Sequence, residues 1–125
     1  MKMLIVDDSL IVRRKIEREI NLPEVEEIFT AHNGQEAVEV FKTYEPELVT
    51  MDLTMPNMDG TECVKKLVSI NPNTVILVIS ALADQATAIK AVKQGAYGFL
   101  CKPFTESELN EALAKCIAFC NELKG

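Results

Sequence analysis

The regular alternation of short apolar runs with helical stripes is the feature that most constrains the fold of this chain. Five runs rich in β-branched residues recur along the 125 residues, at positions 3–6, 28–31, 48–51, 75–79 and 98–101. Apolar runs without polar alternation are typical of strands buried on both faces of a parallel sheet. Because the first run is apolar throughout, we expect the first strand to be central in the sheet.

The segments between these runs carry apolar residues at helical spacing. The stripes are Val12, Ile16 and Ile20; Ala37, Val38 and Phe41; Val64, Leu67 and Val68; Ala88, Ile89 and Val92; and Leu109, Ala112, Leu113, Cys116, Cys120 and Leu123. Ser9, Asn33 and the segment 105–108 are predicted helix N-termini, and Gly95 is placed to end the fourth helix. We therefore predict one domain over residues 1–125, a doubly wound α/β fold. Its five-stranded parallel sheet has the flavodoxin-like order 2-1-3-4-5, with five helices.

Charge and composition exclude several classes of protein. Thirteen Lys and Arg against 19 Asp and Glu leave a net charge of −6, which disfavours direct binding to nucleic acid. The longest nearly apolar stretch, 75–83, is shorter than the roughly 20 residues that cross a membrane. The first run is followed at once by two aspartates, so no signal peptide is predicted. We expect a protein of the cytoplasm.

The four cysteines show no CxxC pair and are interpreted as reduced core thiols. Cys116 and Cys120 lie four residues apart on the last predicted helix, a spacing that could offer two metal ligands. The chain has a single histidine, His32, to complete such a site, so a structural zinc site is disfavoured.

Polar residues follow four of the predicted strands. Asp7 and Asp8 follow the first, Asp52 the third, Ser80 the fourth and Lys102 the fifth. An aspartate after a strand is often only a turn former or helix cap. Carboxyl ends of parallel strands share one edge, however, and three carboxylates about 4 Å apart would repel by roughly 4 kcal/mol per pair. The sequence therefore predicts a bound hard cation such as Mg²⁺.

This combination of groups suits phosphoryl transfer. A cation, an ammonium and a hydroxyl can together neutralise and hold the oxygens of a phosphoryl group, while a carboxylate acts as the nucleophile. Asp52 is the best candidate nucleophile, because the adjacent Asp7 and Asp8 can together hold the ion.

The residues that carry this chemistry resemble those of a response regulator receiver domain. The matching motifs are Ile5-Val6-Asp7-Asp8-Ser9, the segment 49–60 around Asp52, Ile79-Ser80-Ala81 and Lys102-Pro103-Phe104. We expect the stand-alone, CheY-like kind of receiver, in which no output domain would follow Gly125, although a receiver cut from a longer regulator is the alternative.

The resemblance implies a role for each residue of the site. Asp52 would accept a phosphoryl group from a phosphohistidine on a histidine kinase or phosphotransfer protein. Mg²⁺ would be held by Asp8, Asp52 and the backbone carbonyl of Thr54, and by Asp7 through water. Ser80 and Lys102 would contact the phosphoryl oxygens, and the Lys102-Pro103 bond would be cis.

The resemblance also implies a switch. Phe99 falls on the family's switch aromatic, whose ring would turn inward when Ser80 is drawn to the phosphoryl group. An effector would bind the face of the fourth helix, fifth strand and fifth helix, and the chain would be a monomer or a weak homodimer. An ordinary buried strand residue is the alternative for Phe99. The apolar Leu82, two residues after Ser80, predicts slow self-dephosphorylation.

Two other functions remain open from the sequence. A Mg²⁺-dependent phosphohydrolase with an aspartate nucleophile would need a second acid two residues after Asp52, where Thr54 stands. A flavin or dinucleotide module would need a glycine-rich first turn in place of the acidic one.

Four residues are interpreted as structural. Gly60 would allow a backbone angle that a side chain opposes, Phe41 and Phe119 would be core, and His32 would lie in a surface loop.

Overall fold

The computed structural model describes residues 1–53 and 60–124, with Leu82 described through its backbone only. The strands are β1 (Lys2–Val6), β2 (Glu27–Ala31), β3 (Leu48–Asp52), β4 (Val75–Ala81) and β5 (Gly98–Lys102). The helices are α1 (Leu10–Glu19), α2 (Gly34–Tyr44), α3 (Gly60–Ile70), α4 (Gln85–Lys93) and α5 (Glu106–Lys124), and a 3-10 turn at Leu82–Asp84 precedes α4. Each predicted strand and helix is therefore present.

The strands form one parallel sheet in the order β2-β1-β3-β4-β5, which confirms the predicted topology. The expectation that the first strand is central is wrong in detail. β1 lies inside the sheet between β2 and β3, but β3 occupies the middle position. A fully apolar run indicates that a strand has neighbours on both sides, and it does not rank one interior strand above another.

Burial separates the interior strands from the edges. β1, β3 and β4 are buried along nearly their whole length, whereas β2 and β5 are largely half-buried or exposed. The prediction of burial on both faces is therefore wrong for β2 and β5. Each has a neighbour on one side only, and the helices cover the middle of the sheet better than its margins.

Two apolar layers hold the helices against the sheet. One layer joins α2, α3 and α4 to the face of the sheet that carries Leu4, Val49 and Met51. The other joins α1 and α5 to the opposite face, which carries Met3, Ile5 and Leu77. Side chains alternate between the two faces along each strand, so both layers draw on the same strands.

The helix ends follow the sequence signals. The Ser9 hydroxyl accepts a hydrogen bond from the Val12 amide, and the Asn33 side chain accepts one from the Glu36 amide. At α5 the Thr105 hydroxyl and the Glu108 carboxylate exchange hydrogen bonds with each other's backbone amides, which is a capping box. Beyond α4, Gly95 adopts φ +121°, a left-handed conformation in which a side chain is strained.

Several apolar residues predicted to lie in the core are instead at the surface. Phe41 is buried as expected, but Phe119 is 37% exposed and contacts exposed Tyr97 with the rings tilted, their centroids 4.9 Å apart. Ile89 and Leu123 of the helical stripes are also exposed. The prediction for Phe119 is therefore wrong, because on the same turns of α5 the buried positions are Cys116, Ile117 and Cys120, and Phe119 lies beside that buried face.

Among the helices of the described part of the chain, none is both long enough and apolar enough to cross a bilayer.

Candidate functional site

The carboxyl edge of the sheet brings together the predicted site residues that the structure describes. Asp7 and Asp52 are buried, Asp8 is exposed, and one ligand oxygen from each lies within 4.8 Å of the others. Within residues 1–53 and 60–124 these three aspartates are the only group of potential metal ligands of this size. The order β1-β3-β4 accounts for the meeting, because Asp52 ends the strand beside β1.

Lys102 reaches the same cluster from β5. Its Nζ lies 3.3 Å from Asp7 Oδ2 and 3.5 Å from Asp52 Oδ1, and the Lys102-Pro103 peptide bond is cis. One ammonium thus pairs with two of the three clustered carboxylates, and the net charge of these four groups is −2. Carboxylate oxygens are the ligands that hard divalent ions such as Mg²⁺ take, so the donor set fits the predicted ion.

Ser80 contributes a hydroxyl with no partner. It is 2% exposed at the end of β4, and its Oγ makes no hydrogen bond to any described residue. A buried hydroxyl without a partner is costly, so such a group indicates either a ligand or an ordered water. Its position beside the acidic cluster makes it available to a bound oxyanion.

The main chain around Asp7 is held by several contacts. Its amide donates to Ala31 O at 3.1 Å, its Oδ1 accepts from the Ser9 amide at 2.9 Å, and its carbonyl accepts from Arg13 Nη1 at 2.6 Å. Arg13 was not among the predicted site residues. A basic residue four positions after the Ser9 cap lies one turn into α1, and that spacing is the signal that could have identified it.

Gly60 lies against the backbone of Asp52. A Cβ atom on Gly60 would clash with the Cα of Leu53 and lie 2.5 Å from the Asp52 carbonyl oxygen. The structural role predicted for Gly60 is correct, but the predicted reason is wrong. Within the described residues only Gly95 and Glu45 have positive φ, so Gly60 is needed for close approach rather than for a backbone angle. Thr54, the predicted carbonyl ligand, lies outside the described residues, as does the side chain of Leu82.

Phe99 points outward from the edge strand. Its side chain is 43% exposed, so the alternative of an ordinary buried strand residue is wrong. Together with Tyr97 it borders a groove of about 280 Å³ between β5 and α5, whose floor includes Leu77 and Leu100. The surface predicted to bind an effector is therefore partly apolar and open.

The cysteines and the histidine take no part in this cluster. All four cysteines are free thiols, and burial, followed by the neighbouring Cys120, raises the pKa of Cys116 to about 12. Thiols with a raised pKa are poor metal ligands at neutral pH. His32 is exposed, and its Nδ1 lies 2.6 Å from Glu36 Oε2.

Comparisons with known proteins agree with this geometry. A family model described as the response regulator receiver domain matches residues 3–114. The chemotaxis protein CheY of Thermotoga maritima is 44% identical over 114 residues, covering 91% of this chain and 95% of that protein. The receiver domain of AraT, a response regulator from Geobacillus stearothermophilus, superposes with a TM-score of 0.92 at 29% identity, covering 99% and 98% of the two chains.

The structure of the response regulator domain of Thermotoga maritima CheB superposes with a TM-score of 0.82 at 31% identity, covering 97% and 96% of the two chains. These matches extend over nearly the whole chain. The chain belongs to the response regulator receiver domain family, as a CheY-like phosphoacceptor of two-component signalling.

Proposed function

We propose that Asp52 is the residue that receives the phosphoryl group, with Asp7 and Asp8 completing the site. The observation that carries this assignment is the meeting of three carboxylates with one lysine at the edge where Ser80 presents an unpaired buried hydroxyl. Asp52 is the central member of the set, since β3 lies between the strands that supply Asp7 and Ser80.

The residues divide the work of the transfer. An Asp52 carboxylate oxygen attacks phosphorus, a P–O bond forms, and the bond from phosphorus to the donor nitrogen breaks. The Lys102 ammonium, already 3.5 Å from Asp52, neutralises one phosphoryl oxygen, and the Ser80 hydroxyl donates a hydrogen bond to another. Mg²⁺ held by Asp7, Asp8, Asp52 and the Thr54 carbonyl would supply the remaining positive charge on the phosphoryl oxygens.

The same hydroxyl connects the transfer to the surface. When Ser80 Oγ moves toward a phosphoryl oxygen, it vacates space beneath β4 and β5, and the exposed Phe99 ring turns inward to fill it. The bond to a charged oxygen biases an existing equilibrium between the two ring positions. An effector that binds the face of α4, β5 and α5 would then distinguish the two states.

Partners and context follow from the relatives. The phosphoryl donor would be a histidine kinase or a phosphotransfer protein, and the CheY relatives favour an effector in chemotaxis. We propose that residues 1–125 act as one receiver in the cytoplasm, monomeric or weakly dimeric, without direct contact to nucleic acid or membrane.

The phosphohydrolase is the weaker candidate. An enzyme of that kind needs a general acid near the nucleophile and a pocket for the substrate. Asp7 and Asp8 are adjacent on one strand end, and Thr54 replaces the acid expected two residues after Asp52. We propose that the chain turns over no external substrate beyond its phosphodonor.

Intact mass after incubation with acetyl phosphate and Mg²⁺ tests the assignment. The wild-type chain should gain one phosphoryl group, and Asp52→Asn should gain none. Asp84→Asn, which removes an aspartate outside the cluster, should behave as wild type. A gain that persists in Asp52→Asn, or that never occurs in the wild type, would contradict the proposal.

A further inference from the structure

Arg13 is a cationic side chain that contacts the main chain of an aspartate of the site. Its Nη1 donates to the carbonyl oxygen of Asp7 at 2.6 Å, and its side chain is half-buried. The contact is made to the backbone, so Arg13 leaves the carboxylates available. Its neighbour Arg14 is exposed and makes no hydrogen bond or ion pair within the described part of the chain.

The Asp7 carbonyl belongs to the peptide unit that leads into Asp8. That unit is planar, so holding its oxygen fixes the plane in which the Asp8 Cα lies. The following peptide unit is held as well, because the Ser9 amide donates to Asp7 Oδ1 at 2.9 Å. Both peptide units that flank Asp8 are therefore restrained, the first by Arg13 and the second by Asp7.

Asp8 itself has no such restraint on its side chain. It is exposed and makes no hydrogen bond or ion pair to any residue in 1–53 or 60–124, yet its carboxylate is one of the three that converge. The main chain therefore decides where this carboxylate lies.

We infer that Arg13 is a positioning residue that orients the Asp7–Asp8 peptide and so places the Asp8 carboxylate for Mg²⁺. The inference rests on the proposed metal site. Residues that orient metal ligands from outside the coordination sphere change metal affinity by about 10- to 100-fold when they are removed.

The sign of the effect separates positioning from simple electrostatics. A cation close to three carboxylates opposes the binding of a second cation, so a guanidinium that acted only through its charge would weaken Mg²⁺ binding. Removing it would then tighten binding. A positioning role gives the opposite result, because the site loses its geometry along with the charge.

The experiment is a Mg²⁺ titration of the full chain, in which amide NMR shifts or calorimetry measure the affinity. Arg13→Gln and the matched control Arg14→Gln remove the same charge from adjacent positions. We expect Arg13→Gln to weaken Mg²⁺ binding about tenfold and Arg14→Gln to change it little. Arg13→Lys, which keeps the charge and one donor, should fall between Arg13→Gln and wild type.

Binding in Arg13→Gln that is equal to or tighter than in Arg14→Gln would overturn the inference. If Arg13→Gln does not fold, Arg13→Lys against Arg14→Lys decides in the same way, with equal affinities contradicting the role. Failure of the wild type to bind Mg²⁺ would instead contradict the proposed metal site itself. The two failures are therefore distinguishable.

Discussion

The two edges of the sheet carry similar charged groups and use them differently. At the amino edge, Glu47 Oε2 lies 2.6 Å from Lys124 Nζ, and Glu47 Oε1 accepts the Lys2 amide at 3.1 Å. One carboxylate there meets one ammonium. At the carboxyl edge three carboxylates converge, and Lys102 forms ion pairs with two of them, Asp7 and Asp52. The balanced edge stabilises the fold, whereas the excess of negative charge at the carboxyl edge lowers stability unless a cation binds there.

The largest difference between the edges should appear in the rate of phosphorylation. Lys102→Met removes the ammonium that would neutralise a phosphoryl oxygen, and loss of one such group costs about 100-fold in rate. We expect that loss in the time course of intact mass with acetyl phosphate at saturating Mg²⁺. Lys124→Met removes the lysine of the other edge and should leave the rate almost unchanged. Equal rates in the two variants would break the comparison.

Two glycines test how tightly each edge is packed. Gly60→Ala forces a methyl group against the Asp52 carbonyl and the Leu53 backbone, and should lower the free energy of unfolding by about 2 kcal/mol. Gly98→Ala, at the amino end of β5, meets no atom within 4 Å and should stay within about 0.5 kcal/mol of wild type. Urea unfolding measures both. A Gly98→Ala loss as large as that of Gly60→Ala would show that backbone geometry, rather than the contact at Asp52, governs the effect.

Removing one carboxylate from each edge should change stability in opposite directions. Without divalent ions, Asp8→Asn relieves repulsion within the cluster and should raise the free energy of unfolding by about 1 kcal/mol. Glu47→Gln breaks an ion pair whose partner, Lys124, is exposed, and should lower the free energy of unfolding by a smaller amount. Thermal or urea unfolding in a chelating buffer measures the change in the free energy of unfolding for both variants. Effects of the same sign would mean that the acidic cluster is not under strain.

The smallest effect is the pH dependence of the amino edge. Burial raises the pKa of Glu47, but the Lys124 hydrogen bond, the Lys2 amide and nearby positive charges outweigh it and hold the pKa below its usual 4.5. A lowered pKa stabilises the fold fully above that usual value, and the contribution is lost as pH falls through the folded-state pKa. The difference in free energy of unfolding between wild type and Glu47→Gln should therefore be constant near neutral pH. It should shrink toward zero as the pH falls below 4.5. A gap that widens in acid would contradict this.

The parts of the fold that depend on local chemistry were predictable. Ser9, Asn33 and Thr105 cap their helices as expected, because a cap depends on residues within one turn. The meeting of Asp7, Asp52 and Lys102 was also predictable, since parallel strands leave their carboxyl ends on one edge. Both inferences follow from the chain direction and a few neighbouring residues.

The predictions that failed concern contacts between elements that are distant in sequence. Phe119 is expected in the core, but α5 buries Cys116, Ile117 and Cys120 and leaves Phe119 beside them at the surface. The close approach of Gly60 to Asp52 and the reach of Arg13 to Asp7 depend equally on how elements pack. Periodicity identifies the side of a helix that is apolar, and packing decides what that side meets.

The side chains of the acidic site come from positions 7, 8, 52, 80 and 102, which are far apart in the sequence. The last of them, Lys102, ends the edge strand β5. No fragment ending before β5 carries the lysine, and local fraying of that strand would withdraw it while the rest of the sheet persisted. Phosphorylation by this set of residues would therefore require that every strand from β1 to β5 has formed and joined the sheet.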